Sequence, residues 1–224
     1  MAFFIDGLKY FAAGFIMALV ISARAFGAPE PLQVEGIIAS DTAWSGEVLV
    51  YSDVLVPEGV TLTISPGAVV RFYYSESTKI EPMFLSMQTE ILVRGVLKVE
   101  GEPGNPVTFS PAPEDVDLKA PARGDWGGII FDGPVASASV VKDANFLMAE
   151  TAVTTFYSSP KISGCSVADS NYGFLLTGGS SPKISGCRVT GASYAVVASH
   201  GAKPVVEDCV FSGNEHDVLT KETP

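Results

Sequence analysis

Apolar and polar positions through residues 140–220 recur with a period near 22, not near 3.6 or 2. The octapeptide SSPKISGC stands at 158–165 and again at 180–187. Written in lines of 22, the chain places Pro160, Pro182 and Pro204 in one column. Further columns are Ile162, Ile184 and Val206; Cys165, Cys187 and Cys209; Val167, Val189 and Phe211; and Phe174, Val196 and Val218. One line upstream, at a spacing of 21, Val141, Ala144, Phe146 and Val153 take the columns of Ile162, Cys165, Val167 and Phe174. Four consecutive copies of one unit predict a solenoid, in which each unit buries its apolar face only by stacking on its neighbours.

Each unit carries a Pro, several Gly and Ser, and no helical spacing of apolar residues, which excludes helical repeats. A leucine-rich repeat fits Ile162, Cys165 and Val167 only in outline, because that fold needs Leu at most apolar places and a helical return. Here the return from Tyr172 alternates like a strand and then turns at Gly178-Gly179. Gly164, Gly186 and Asp208, each one residue before a Cys, predict turns in the left-handed region. Upstream, Val60, Leu62 and Ile64 alternate before Pro66-Gly67, and Val96 to Val99 form another short strand closed by Gly101. The pattern predicts an all-β chain wound as a single-stranded parallel β-helix with coils of 21–22 residues.

Several stretches carry a family resemblance: Trp44-Ser-Gly, VLVPEGVTLTISPGAVVRF at 54–72, ILVRGVLKVEG at 91–101, NPVTF at 105–109 and GDWGGIIF at 124–131. They resemble bacterial secreted right-handed parallel β-helix repeat proteins of the pectate-lyase-like architecture, over about residues 35–219. The resemblance implies right-handed winding. It does not choose an activity, because that fold carries polysaccharide lyases, hydrolases, adhesins and modules without catalysis. A long insertion at 73–89 and the small number of coils depart from the enzymes of that architecture.

The first residues follow another pattern. Lys9 and Arg24 bracket a chargeless run, 10–23, that is too short for a bilayer span and suits the core of a secretory signal. Small residues at Ala23 and Ala25 offer a cleavage site, and Gly27 offers a second. The weakly cationic start, with Asp6 beside Lys9, leaves an uncleaved anchor as the other reading. The expected organisation is a signal peptide at 1–25, an N-terminal capping segment at 26–46, the β-helix at 47–220 and a tail at 221–224. An extracytoplasmic location follows, in the periplasm, at the cell surface or secreted.

Charge narrows the partners. The chain has 14 basic and 25 acidic residues, a formal net charge of −11. Such a balance repels nucleic acid and anionic lipid, and no membrane span is expected after signal cleavage. The acidic stretch 112–125 lacks the alternating Asp/Asn pattern and closing Glu of a calcium loop, so it reads as a solvated loop. The three cysteines recur without histidine, which removes a zinc pattern. They read as a reduced, buried stack, since parallel Cβ vectors on adjacent coils would strain a disulfide. No metal and no cofactor are expected.

No catalytic residues emerge. Glu150 falls in one column with Asn171, Ser193 and Glu215, and Asp143 with Gly164, Gly186 and Asp208. Within the repeats, no carboxylate has another one coil away, as a glycosidase pair would require. Lys161 and Lys183 stack without a repeating acid beside them, and Gly127-Gly128 lacks the spacing of a phosphate loop. Tyr172 and Tyr194, one coil apart, are the candidate ligand-binding residues, as an aromatic strip for sugar rings; the competing reading is a supporting ladder. The expected function is an exported, non-catalytic β-helix scaffold or binding module with polysaccharide or another surface protein as partner. A polysaccharide lyase or glycoside hydrolase is the second reading, and an adhesin-like module that associates end to end through its C-terminal coil is the third.

Overall fold

The structure, a computed structural model, describes residues 30–75, 85–115 and 123–221. The signal segment at 1–25, residues 76–84 of the 73–89 insertion and residues 116–122 of the acidic loop therefore lie outside the described residues. Strand after strand pairs in parallel with its counterpart one coil on. One ladder of seven strands runs from Thr42–Trp44 through Thr61–Ile64, Val96–Glu100, Val140–Lys142, Lys161–Ser163 and Lys183–Ser185 to Val205–Glu207. The other ladder has 14 strands and forms two walls joined at the ten-residue strand Glu47–Val56. That strand pairs with Val69–Phe72 through its first half and with Glu90–Val93 through its second. Each coil thus carries three short strands round an apolar core.

The columns read from the sequence are the observed registers. Val141, Ile162, Ile184 and Val206 pair in turn, as do Phe146, Val167, Val189 and Phe211. Val153, Phe174, Val196 and Val218 form the third inward column. A slip of one residue would turn each apolar set to solvent, so burial holds the register. The turns behave as expected: Gly164, Gly186 and Asp208 have φ of 63°, 61° and 53°, and Asp143 at 46° completes the column. Asp stands there because its short polar side chain tolerates the left-handed region.

Upstream coils, which share no repeated letters, are held by larger side chains. Phe72 and Trp126 stack at 4.1 Å between centroids, and Phe109 and Phe146 at 5.0 Å. Trp126 opens the strand Trp126–Asp132 with its ring in this core. Its indole N–H donates to the Leu147 carbonyl at 2.8 Å. Gly128 beside it has φ 121°, and a Cβ there would lie 1.6 Å from the Thr151 oxygen. The Gly pair permits close coil packing. Within the span expected to cap the helix, 26–46, Leu32–Ile37 and Thr42–Trp44 pair in parallel with Glu47–Val56 and Thr61–Ile64. Among the described residues no helix is long and apolar enough to cross a membrane.

Candidate binding groove

One wall has an apolar column on its outer face as well as its inner one. Leu55, Leu92, Ile130, Thr154, Leu175, Val197 and Leu219 pair successively along seven coils. In the first coils this outer column is closed over: Leu55, Leu92 and Ile130 form a second buried cluster with Phe156 packed against it. From Ile130 onward it lines a groove of about 490 Å³, in which Leu175 and Leu219 are half-buried and Thr154 and Val197 remain buried.

Thr151, Tyr172 and Tyr194 form one side of the groove, and His216 continues their column beyond it. Tyr172 and Tyr194 are therefore brought together as expected, with ring centroids 5.2 Å apart, and Tyr194 stacks on His216 at 4.7 Å. The planes are within 10° and 22° of parallel, so the rings cover each other's faces. Edges and hydroxyls are what the ladder offers a ligand. Ser199 and His200 line the other side, where His200 Nδ1 lies 3.2 Å from the Thr177 hydroxyl and 3.1 Å from that of Ser199.

Two carboxylates close the head of the groove. Glu90, buried on the strand Glu90–Val93, accepts the Ser86 backbone N–H at 3.2 Å on each oxygen. The Ser86 hydroxyl donates to Glu150 Oε2. Gly127 lies between the two strands that carry these acids, and a Cβ on it would meet Glu90 Cβ at 2.7 Å and Ser86 Cβ at 2.9 Å. Only glycine admits this arrangement. Glu90 N–H in turn donates to Asp53 Oδ1 at 3.0 Å.

Beside the tyrosine column, Arg123 reaches the column of Glu150, Asn171, Ser193 and Glu215. Its Nη1 donates to Ser193 Oγ and Glu215 Oε1, both at 2.8 Å. The Arg123 guanidinium, with help from the Ser193 hydroxyl, holds the Glu215 carboxyl below its ordinary range. The Asp143 column is a turn, as its φ values show, and Lys161 and Lys183 pair on the seven-stranded sheet, away from the groove.

The cysteines are free; Cys165 and Cys187 are buried and Cys209 half-buried. A thiol hydrogen bond to Cys187, then burial, pushes Cys165 well up, while the same bond lowers Cys187. Burial pushes Cys209 up. Cys187 N–H donates to Cys209 Sγ at 3.4 Å. Among the described residues no group of three His, Cys, Asp or Glu side chains is placed to hold a metal ion.

Sequence reasoning missed the outer column, Ser86, Glu90 and Arg123. The signal for the column was present in the doubled apolar pairs Leu175-Leu176, Ile129-Ile130 and Ile91-Leu92, where alternation puts one residue outside.

A family model described as "right handed beta helix region" matches residues 131–221. The fold is a right-handed parallel β-helix. No curated protein and no solved structure matches the chain.

Proposed function

We propose that this right-handed β-helix is an exported, non-catalytic binding module that lays an extended polysaccharide chain along the groove. The observation that carries the reading is the outer apolar column, which continues through Thr154, Leu175, Val197 and Leu219 between two polar sides. Coils recur at about 4.8 Å, a spacing set by strand pairing. A linear sugar chain presents apolar ring faces to such a floor and hydroxyls to Tyr172, Tyr194, Ser199 and His200. Export is supported by the chargeless run 10–23 before Arg24. Retention on a panel of immobilised polysaccharides tests the proposal, with release of short products followed in parallel. Leu175→Asp and Tyr194→Ala should each abolish retention at unchanged fold by circular dichroism. Retention indifferent to both substitutions would overturn the reading.

A hydrolase is the second reading, and it rests on Glu90 and Glu150 meeting through Ser86 in the same groove. Hydrolysis of a glycosidic bond needs two carboxyl groups, one to protonate the leaving oxygen. Under the first reading these acids serve to anchor residues 85–88 over the outer cluster. Short products that disappear in Glu150→Gln while retention persists would establish the second reading in place of the first.

A further inference from the structure

The seven-stranded sheet carries a line of cations that the groove does not use. Its outward column reads Thr63, Lys98, Val140, Lys161, Lys183 and Val205, and no acid interrupts it. Lys142 stands two residues along from Val140, in the neighbouring outward column that runs Glu100, Lys142, Ser163, Ser185 and Glu207. Four successive coils thus each present one exposed lysine on this face, with an acid at either end of the second column. In a chain with 25 acidic against 14 basic residues, counter-charges are plentiful. Yet this line is only partly neutralised. Lys183 pairs with Glu207 at 3.0 Å, and Lys142 lies 3.7 Å from Asp143. Lys98 and Lys161 have no ion-pair partner among the described residues.

The register makes this costly. Lys161 and Lys183 are direct neighbours on adjacent strands, and like charges placed opposite each other destabilise a sheet. Nothing in packing requires it, since both side chains are exposed and any polar residue would serve the strand. A bound anion relieves the repulsion.

We infer that this face binds a linear anionic polysaccharide, with charges about one per sugar ring, lying along the helix axis across the lysine column. Cations in single file, one or two coils apart, fit a polymer of that charge spacing. Nucleic acid fits poorly: it carries about one charge per 1.7 Å of duplex, and the acidic remainder of the molecule repels it. The strip also offers no aromatic platform for bases. This surface is on the other sheet from the groove, and the inference stands independently of the groove's ligand.

Affinity electrophoresis of the folded protein in gels containing alginate, dextran sulfate or neutral dextran tests it. The carboxylated and sulfated polymers separate the two sources of negative charge. Wild type should be retarded by at least one polyanion at low salt, not by dextran, and less as salt rises. Lys161→Gln with Lys183→Gln should weaken that retardation about tenfold or more, because two adjacent cations leave the strip. Arg188→Gln with Lys203→Gln changes net charge equally off the strip and should leave retardation within about twofold, the range of non-specific charge effects. Tyr194→Ala should also leave it unchanged. Absence of retardation by both polyanions, or equal weakening in the two double variants, would overturn the inference. Thermal melts of each variant, expected to match wild type, keep a folding defect from imitating a binding defect.

Discussion

The coil that begins at Lys183 and the coil that begins at Val205 carry nearly the same pattern and have opposite fates. Ile184 and Val196 are 0% and 1% exposed, whereas Val206 and Val218, in the same columns, are 37% and 57% exposed. Cys187 is buried and Cys209 half-buried. The letters differ little; the number of neighbours differs. The middle coil is paired on both sides, and the last described coil on one side only. A solenoid residue therefore owes its burial to the coil above and the coil below, more than to its own type.

That contrast is open to direct attack by truncation of one column. Phe174→Ala should cost roughly 3–5 kcal/mol, the range for emptying a buried aromatic site. Val218→Ala, in the same column, should stay within about 0.5 kcal/mol, as for exposed positions. Denaturant midpoints at constant m-value measure both. Similar costs would mean that the last coil is as enclosed as the middle one.

Amide exchange sharpens the same point without substitution. Backbone groups of Val205–Glu207, Val210–Ser212 and His216–Lys221 pair on one side, so they open more readily than those of Lys161–Ser163 through Tyr194–Ser199. Exchange over 205–221 should be about tenfold faster or more, equivalent to a difference near 1.4 kcal/mol in local opening. Uniform protection through residue 221 would remove the distinction between the coils.

How far the sequence reaches depends on the same neighbours. Where units repeat at 21 or 22, the inward columns from Val141 to Val218 were readable, since equal lengths put equal types in register. Upstream the coils vary in length, and Glu90 and Glu150 are bridged by Ser86 only because 60 residues of chain return to the same wall. Ser86 and Arg123 come from irregular segments whose course no period describes. Leu175 was visible as a letter but ambiguous in role, because a doubled apolar pair says that one residue faces out, not what it meets there. Tyr172 and Tyr194 were placed correctly in register, while their mutual stacking, which withdraws their faces from a ligand, is a property of three dimensions.

Turn chemistry distinguishes the two coils next, and by less. Gly186 in the middle coil and Asp208 in the last hold φ of 61° and 53°. A Cβ at Gly186 meets nothing closer than 4.0 Å, so conformation alone decides a substitution there. Gly186→Asp should cost about 1 kcal/mol or less, and Gly186→Val about 1–2 kcal/mol, since a β-branched residue strains the left-handed region. Asp208→Gly should be neutral or slightly stabilising. Thermal unfolding of the three variants ranks them, and a valine as benign as the aspartate would contradict the assigned turn. The thiols then give a kinetic version. Cys209 should be modified first in the native protein, slowly because burial raises its pKa, and Cys165 and Cys187 only on unfolding. Mass-resolved alkylation reads the order.

The smallest effect concerns the ionic tie that Arg123 makes to the last described coil. Arg123 Nη1 reaches Ser193 in one coil and Glu215 in the next. Its hydrogen bond to Glu215 lowers that carboxyl from the usual 4.5, so the folded state binds the proton less readily than the unfolded chain. The contribution is fully present above about pH 4.5 and is lost as pH falls through the lower folded value. Glu215 is exposed, so salt screens the pair and the change in overall stability is slight. The expected signal is local. Exchange at Gly124 and Asp125, whose N–H groups both donate to the Met148 carbonyl, should quicken relative to its intrinsic rate on acidification below that range. Between pH 7 and 5 that relative rate should be flat, and high salt should shrink the acid step. Glu215→Gln removes the titrating group while keeping an acceptor, and should abolish the step. If acidification loosens Gly124 and Asp125 equally in the Gln variant, another group holds the loop, and the tie between the two coils is weaker than the geometry indicates.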